Sequence, residues 1–130
     1  MDRTDRTTDD PALAALLDDY IALYRGDALE RWRALFLAEF VALSTNPDGS
    51  VTAWSLDAFV ERQRAAFATG KPISEWLGNV AVERRGRLAS VHAEFVWTDG
   101  DLLRNGRLML LVVERHGAWR IQSLAFDYGA

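Results

Sequence analysis

RLASVHAEFVWTDGD, residues 87–101, sets Ala89, Val91, Ala93 and Phe95 at every second position, with Ser90, His92 and Glu94 between them, and then breaks at Asp-Gly-Asp. A period of two is that of a strand with one dry face and one polar face. The same period holds from residue 73 onward, with turn signals at Arg85-Gly86, at 99–101 and at His116-Gly117. It predicts a four-strand antiparallel meander with strands near 74–84, 87–98, 106–115 and 118–128.

Upstream of residue 73 the period is that of a helix. Asp10 followed by Pro11 reads as an N-cap with proline at the first helical position. Leu13, Leu16, Leu17, Tyr20, Ile21 and Tyr24 then lay one apolar stripe, and Gly26 is expected to end the helix with a positive φ. Asp27 is placed to cap a shorter helix whose Leu29, Trp32, Leu35 and Phe36 share a side. EFVAL and SVTAW flank the turn formers STNPDG and predict a hairpin or two short extended pieces. Ser55 caps a third helix, with Asp57 at the positive end of its dipole and Leu56, Phe59, Val60, Gln63 and Phe67 on its inner face. Helices segregated before a meander predict a single α+β domain, with the helices packed on one face of a curved sheet.

The chain has 130 residues, 49% of them hydrophobic, enough for one domain with a core of its own. Fifteen basic against nineteen acidic residues give a net charge of -4, which offers no footprint for a nucleic-acid backbone. The absence of cysteine excludes disulfides, thiol catalysis and thiolate metal sites. The charged opening MDRTDRTTDD has no apolar centre, and no run approaches the roughly 20 apolar residues of a membrane helix, so a cytoplasmic protein without a membrane partner is expected. Residues 1–9 are expected to be a disordered tail and 10–130 the domain. No glycine-rich phosphate loop, nucleophile elbow or dinucleotide fingerprint occurs, and no cofactor is expected. His92-Ala93-Glu94 matches the first part of a zinc deaminase signature, but the cysteine pair that must follow is absent, and no third ligand stands by for another metal.

The order of helix, RGD, helix with RWRALF, hairpin, a helix beginning SLDAF and a meander ending GAWRIQSLAFDY resembles the nuclear transport factor 2-like superfamily, including its polyketide cyclase-like and lumazine-binding-like branches. The resemblance spans residues 10–128. Its motifs, G-x-L-A-x-V at 86–91 and G-A-W-R-I at 117–121, specify fold rather than activity. It implies a cone-shaped curved antiparallel sheet wrapping three helices of the N-terminal half, a pocket open at one end and a homodimer paired through the sheet. It implies no reaction, because the superfamily holds enzymes, binding modules and assembly domains alike. In its steroid isomerase branch a helix tyrosine donates a hydrogen bond and an aspartate abstracts the proton. Tyr20 matches the first, but Ser44 stands where the base would be and Leu111 near the second acid, so that mechanism is rejected for this chain.

A two-residue turn at Arg85-Gly86 would pair Val82 with Ala89, Val80 with Val91, Gly78 with Ala93 and Trp76 with Phe95 on one face. Asn79–His92, Leu77–Glu94 and Glu75–Val96 then fall on the other, where His92, Glu94, Asn79 and Glu75 gather. Two arrangements are open. Either the dry face meets the helices and the polar face meets water or a second subunit, or the polar face is concave and lines the pocket. In the second case Glu94 orients His92 as a general base, and Tyr20, Asn79 and Tyr128 are candidates to bind a substrate carbonyl. A turn at His116-Gly117 would pair Leu111 with Gln122 and Val112 with Ile121, which brings Gln122 into the candidate pocket set. Both faces of LMLLVV in the fifth strand are apolar, which itself suggests a partner chain over one of them. The functional expectation is a domain binding a small apolar or planar ligand, with proton-transfer or hydration chemistry. The alternative is a noncatalytic dimerisation or partner-binding module, separated from the first by whether the interior is open or filled.

Overall fold

The computed structural model describes residues 10–128. The tail expected over 1–9 lies outside them. Asp10 begins α1 (Pro11–Ala22), its carboxylate accepting hydrogen bonds from the backbone N–H of Ala12 at 2.9 Å and Leu13 at 3.2 Å. The helix ends a turn earlier than expected: Leu23 closes it in a right-handed conformation, so no left-handed residue is needed. Gly26 keeps a negative φ and lies against Phe67, where a Cβ would come within 3.3 Å of the Phe67 Cβ. α2 (Leu29–Arg33) is short, and Ala28 rather than Asp27 precedes it; Asp27 pairs instead with Arg25 at 3.2 Å. Phe36, expected on that helix, opens β1 (Phe36–Thr45), followed by β2 (Val51–Ser55). Ser55 caps α3 (Leu56–Phe67), accepting from the N–H of Ala58 at 3.2 Å. The meander follows as β3 (Ile73–Arg85), β4 (Leu88–Asp99), β5 (Leu102–Arg115) and β6 (Ala118–Tyr128).

The strands form one sheet in the order β2-β1-β6-β5-β4-β3. Its pairs are antiparallel except β1 with β6, where the hairpin joins the meander in parallel and Ala42 stands opposite Leu124. All three helices lie over one face. Their meeting point is Trp32, only 1% exposed, whose Nε1 donates to the Tyr20 carbonyl at 3.0 Å while the rings of Phe36 and Tyr24 stand 4.7 and 5.2 Å away. Satisfying the indole N–H lets so large a side chain be fully buried without an orphaned donor.

The turns determine which side chains join that core. Between β3 and β4 the two turn residues are Gly86 and Arg87, with Arg85 opposite Leu88, one residue later than the register assumed from Arg85-Gly86. Val82 therefore faces Val91 and Ala81 faces His92. The register then shifts between Ala81 and Gly78, so that Asn79 and Val80 together stand opposite Ala93. This is a β-bulge, and Asn79 takes φ 50 to make it, a conformation asparagine tolerates better than most residues. Because side chains alternate along a strand, one extra residue reverses every side chain beyond it. Below the bulge Leu77 pairs with Phe95 and Glu75 with Trp97 on the helix side, and Trp76 pairs with Val96 on the other. Trp76 is 56% exposed and lies across Gly78, where its ring occupies the space a Cβ would need. The expected pairs Trp76–Phe95 and Glu75–Val96 are thus corrected, and the two side chains exchange faces.

A second bulge lies in the last hairpin. Arg115 faces Ala118 across the expected His116-Gly117 turn, both of whose residues have positive φ, and Val112 faces Ile121 as expected. The register then shifts, Leu111 pairs with Ser123, and Gln122 is left as the extra residue. In consequence Ile121 and Leu124, three apart, are both buried. Gly106 allows β5 and β6 to close at their far end, since a Cβ there would stand 2.1 Å from the Asp127 carbonyl oxygen.

Candidate active site

Between the helices and the lower half of the sheet is a cavity of about 230 Å³. Its deepest residues are Tyr20, Trp32, Phe59, Phe95, Leu108 and Leu124, all buried, and its opening is bordered by the exposed Arg62, Leu102, Arg104 and Tyr128. Such a cone, apolar at the bottom with a few polar groups converging on it, is how small-molecule sites are commonly built.

Glu75 is the acid that the β3 bulge turns into this cavity. It keeps partial exposure through the opening, but its carboxyl is enclosed by protein, and desolvation raises its pKa to about 7. The Tyr20 hydroxyl beside it works in the opposite direction and favours the carboxylate. Tyr20 itself is held well above the usual phenol range, by burial first and the neighbouring Glu75 charge second, so it remains a donor at any ordinary pH. Its place follows from α1: the stripe of Leu13, Leu16 and Leu17 that packs on the sheet continues one turn on at Tyr20.

Beside this pair runs a second polar chain. Trp97 Nε1 donates to Tyr24 Oη at 3.0 Å, Tyr24 donates to Gln63 Oε1, and Gln63 Nε2 donates to the Phe59 carbonyl at 3.3 Å. Burial pushes the Tyr24 phenol up, the Trp97 hydrogen bond opposes that, and the Glu75 charge adds to it. These bonds lock Trp97, the cross-strand neighbour of Glu75, and so hold one wall of the cavity. Asp99, at the end of β4, also lines the cavity; its Oδ1 is buried without a hydrogen-bond partner among the described residues.

Of the residues singled out in the sequence, Tyr20 and Tyr128 line the cavity, and so does Glu75, which parts from the polar cluster expected with His92, Glu94 and Asn79. His92 and Glu94 do not: both are exposed on the face away from the helices, because Ala93 and Phe95 hold the inward positions on β4. The dry face meets the helices, and the catalytic role expected for His92 and Glu94 has no cavity to act in. Asn79 is exposed on the same outer face and donates to Glu94 Oε1 at 2.9 Å. Gln122 donates to the Glu39 carbonyl at 3.3 Å and is not part of the lining, displaced by the β6 bulge. Ser44 is buried and Leu111 is exposed on the outer face. Among the described residues no group of three or more His, Asp or Glu is placed to hold a metal ion.

The signal for Glu75 was Gly78-Asn79 inside a strand, a pair that interrupts alternation where a bulge is needed. Arg62 was readable as lying three residues after Phe59 on the inner stripe of α3. Arg104 and Asp99 carried no comparable signal.

A model of the SnoaL-like domain matches residues 13–126. The chain belongs to the SnoaL-like domain family. Solved structures share the nuclear transport factor 2-like, cystatin-like fold over nearly the whole chain. One is a nuclear transport factor 2-like protein of unknown function from Silicibacter pomeroyi, 27% identical, with a TM-score of 0.68 over 91% of this chain and 93% of that one. A protein of unknown function from Mycobacterium tuberculosis is 20% identical, with a TM-score of 0.73 over 91% and 70% of the two chains. A nuclear transport factor 2-like protein with a cystatin-like fold from Novosphingobium aromaticivorans is 16% identical, with a TM-score of 0.70 over 90% and 79%. No curated protein matches the chain.

The raised Glu75 pKa has a thermodynamic consequence. Between about 4.5 and about 7 the folded chain holds a proton at Glu75 that the unfolded chain has released, so this residue's contribution lowers stability as pH rises through that window and is fully developed above it. Gln at 75 removes the titration and keeps a polar side chain of similar size beside Tyr20. Urea unfolding of wild type and Glu75→Gln across pH should show the variant gaining, relative to wild type, on the order of 2 kcal/mol between pH 4.5 and pH 7.5, with allowance for partial solvent access. A difference independent of pH would mean that the carboxyl is not buried.

Proposed function

We propose that this SnoaL-like domain binds a small apolar or planar ligand in its cone and transfers a proton on it, with Glu75 as the base. The observation that carries this is an acid set among the aromatic and leucine side chains of the cavity, with a pKa of about 7 that matches the pH at which it would work. The chemistry that fits is proton abstraction beside a carbonyl. Glu75 takes the proton, the C–H bond electrons pass into the carbonyl as an enolate, and the protonated Glu75 returns the proton to the same or another carbon. Tyr20 is the group that orients Glu75 and keeps its anionic form accessible. An interior with an open cavity favours ligand binding over a purely structural module. The cytoplasmic location expected from the sequence remains part of this proposal.

The outer face of the sheet supports a homodimer in the same proposal. Val41, Leu43, Met109 and Leu111 are exposed at its centre, with Met109 at 51%. His92 pairs with Met109 and Glu94 with Arg107 across the strands, which gives that apolar centre a border of polar and oppositely charged groups. An apolar centre with such a border is the anatomy of a self-complementary contact. Replacing Leu111 by Lys should convert the dimer to a folded monomer in sedimentation analysis; a wild-type chain that sediments as a monomer at micromolar concentration would contradict the pairing.

The proton-transfer test uses hydrogen–deuterium exchange at carbon. In deuterium oxide the wild type should exchange the α-hydrogens of some members of a panel of planar ketones and β-dicarbonyl compounds. The rate should rise with pH through about 7, as Glu75 becomes the carboxylate. Glu75→Gln should lose this activity by roughly 10²-fold or more while still binding the same compounds. Exchange that survives the substitution would remove Glu75 from the role.

A further inference from the structure

The opening of the cavity carries a charge arrangement of its own. Arg62 from α3 and Arg104 from β5 both line it and both are exposed. The Arg62 guanidinium lies 4.8 Å from the Trp54 ring centroid and that of Arg104 5.3 Å from Tyr128. Trp54 in turn stacks on Phe126 at 6.1 Å, and Phe126 meets Tyr128 edge-on at 5.5 Å. Three rings therefore run in a row with a guanidinium at either end.

Neither arginine forms an ion pair among the described residues, whereas Arg33, Arg64, Arg84 and Arg115 each meet a carboxylate. Resting on a ring face positions a guanidinium without using the N–H groups at its edge, which remain available to an anion. The acids in the same cavity, Glu75 and Asp99, are less exposed than the two arginines. An anionic group is therefore favoured at the rim, and the space beyond it is lined by rings and leucines.

We propose that the ligand is an aromatic or similarly planar carboxylate, its anionic group held at the rim by Arg104 and its ring system laid along Tyr128 and Phe126 toward Glu75. This rests on the cavity being the ligand site, as proposed above, and adds the ligand's charge and orientation.

The test is calorimetric binding of one- and two-ring aromatic carboxylates, each beside its primary amide. The proteins are the full chain, the single variants Arg62→Gln and Arg104→Gln, the double variant, and Arg87→Gln as an exposed arginine away from the cavity. Wild type and Arg87→Gln should bind at least one acid roughly tenfold or more tighter than its amide, with a preference that weakens as salt rises. The preference should vanish in Arg104→Gln and in the double variant and persist in Arg62→Gln, while amide affinity stays the same. Equal binding of acid and amide overturns the carboxylate assignment and leaves the cavity reading intact. Binding of neither overturns both, and an acid preference that persists in Arg104→Gln removes that arginine from the role.

Discussion

One extra residue in β3 determines what the cavity can do. Without the bulge at Asn79 and Val80, alternation would carry Trp76 inward and leave Glu75 on the outer face with His92 and Glu94. With it, a carboxyl is held among rings and leucines beside Tyr20. A buried carboxylate is unfavourable unless it is protonated or hydrogen-bonded. Here the first occurs in part: the pKa moves to about 7, with the neighbouring Tyr20 hydroxyl opposing the shift. The bulge thus places a destabilising group where its altered proton affinity has a use, an arrangement often found at functional sites.

The remaining structure holds that group in place. Trp32 ties α1, α2 and α3 into one packed layer through its ring contacts and its bond to the Tyr20 carbonyl, which restrains the helix segment carrying Tyr20. On the sheet side, the Trp97–Tyr24–Gln63 chain fixes the neighbour of Glu75 against α3. Tyr20 on α1 and Tyr24 just beyond its end thus have different places, Tyr20 beside the acid and Tyr24 locking the wall. The polar groups of the outer face have a third: Asn79, having made the bulge, ties down Glu94 away from the cavity.

What was legible in the sequence was what local physics decides. Asp10 and Ser55 cap their helices because a short side-chain acceptor before an apolar stripe has few other uses. The meander and its His116-Gly117 turn follow from period and turn chemistry. Long-range register was not legible. A turn placed one residue off changed the partners of β3, and two bulges then moved Glu75 inward and Gln122 out of the candidate set, because a single added residue inverts a strand. The SVHAEFVW alternation was correctly periodic and still left two arrangements open. Which face of a sheet meets the helices depends on the apolar sum over all strands, and here Ala93 and Phe95 outweigh His92 and Glu94. Arg62 was missed because a charge within a helix stripe is ordinarily solvated, and only the presence of Trp54 beneath it gives it a position.

The most direct test of this account is a ¹³C titration of the side-chain carboxyls, with Glu75→Gln to assign the Glu75 resonance. A midpoint near 7, well apart from the other glutamates, is the result expected for a carboxyl turned inward by the bulge and enclosed in the cavity. A midpoint near the ordinary value of about 4.3 would mean that Glu75 faces water, and would contradict both the strand register and the proton-transfer chemistry built on it.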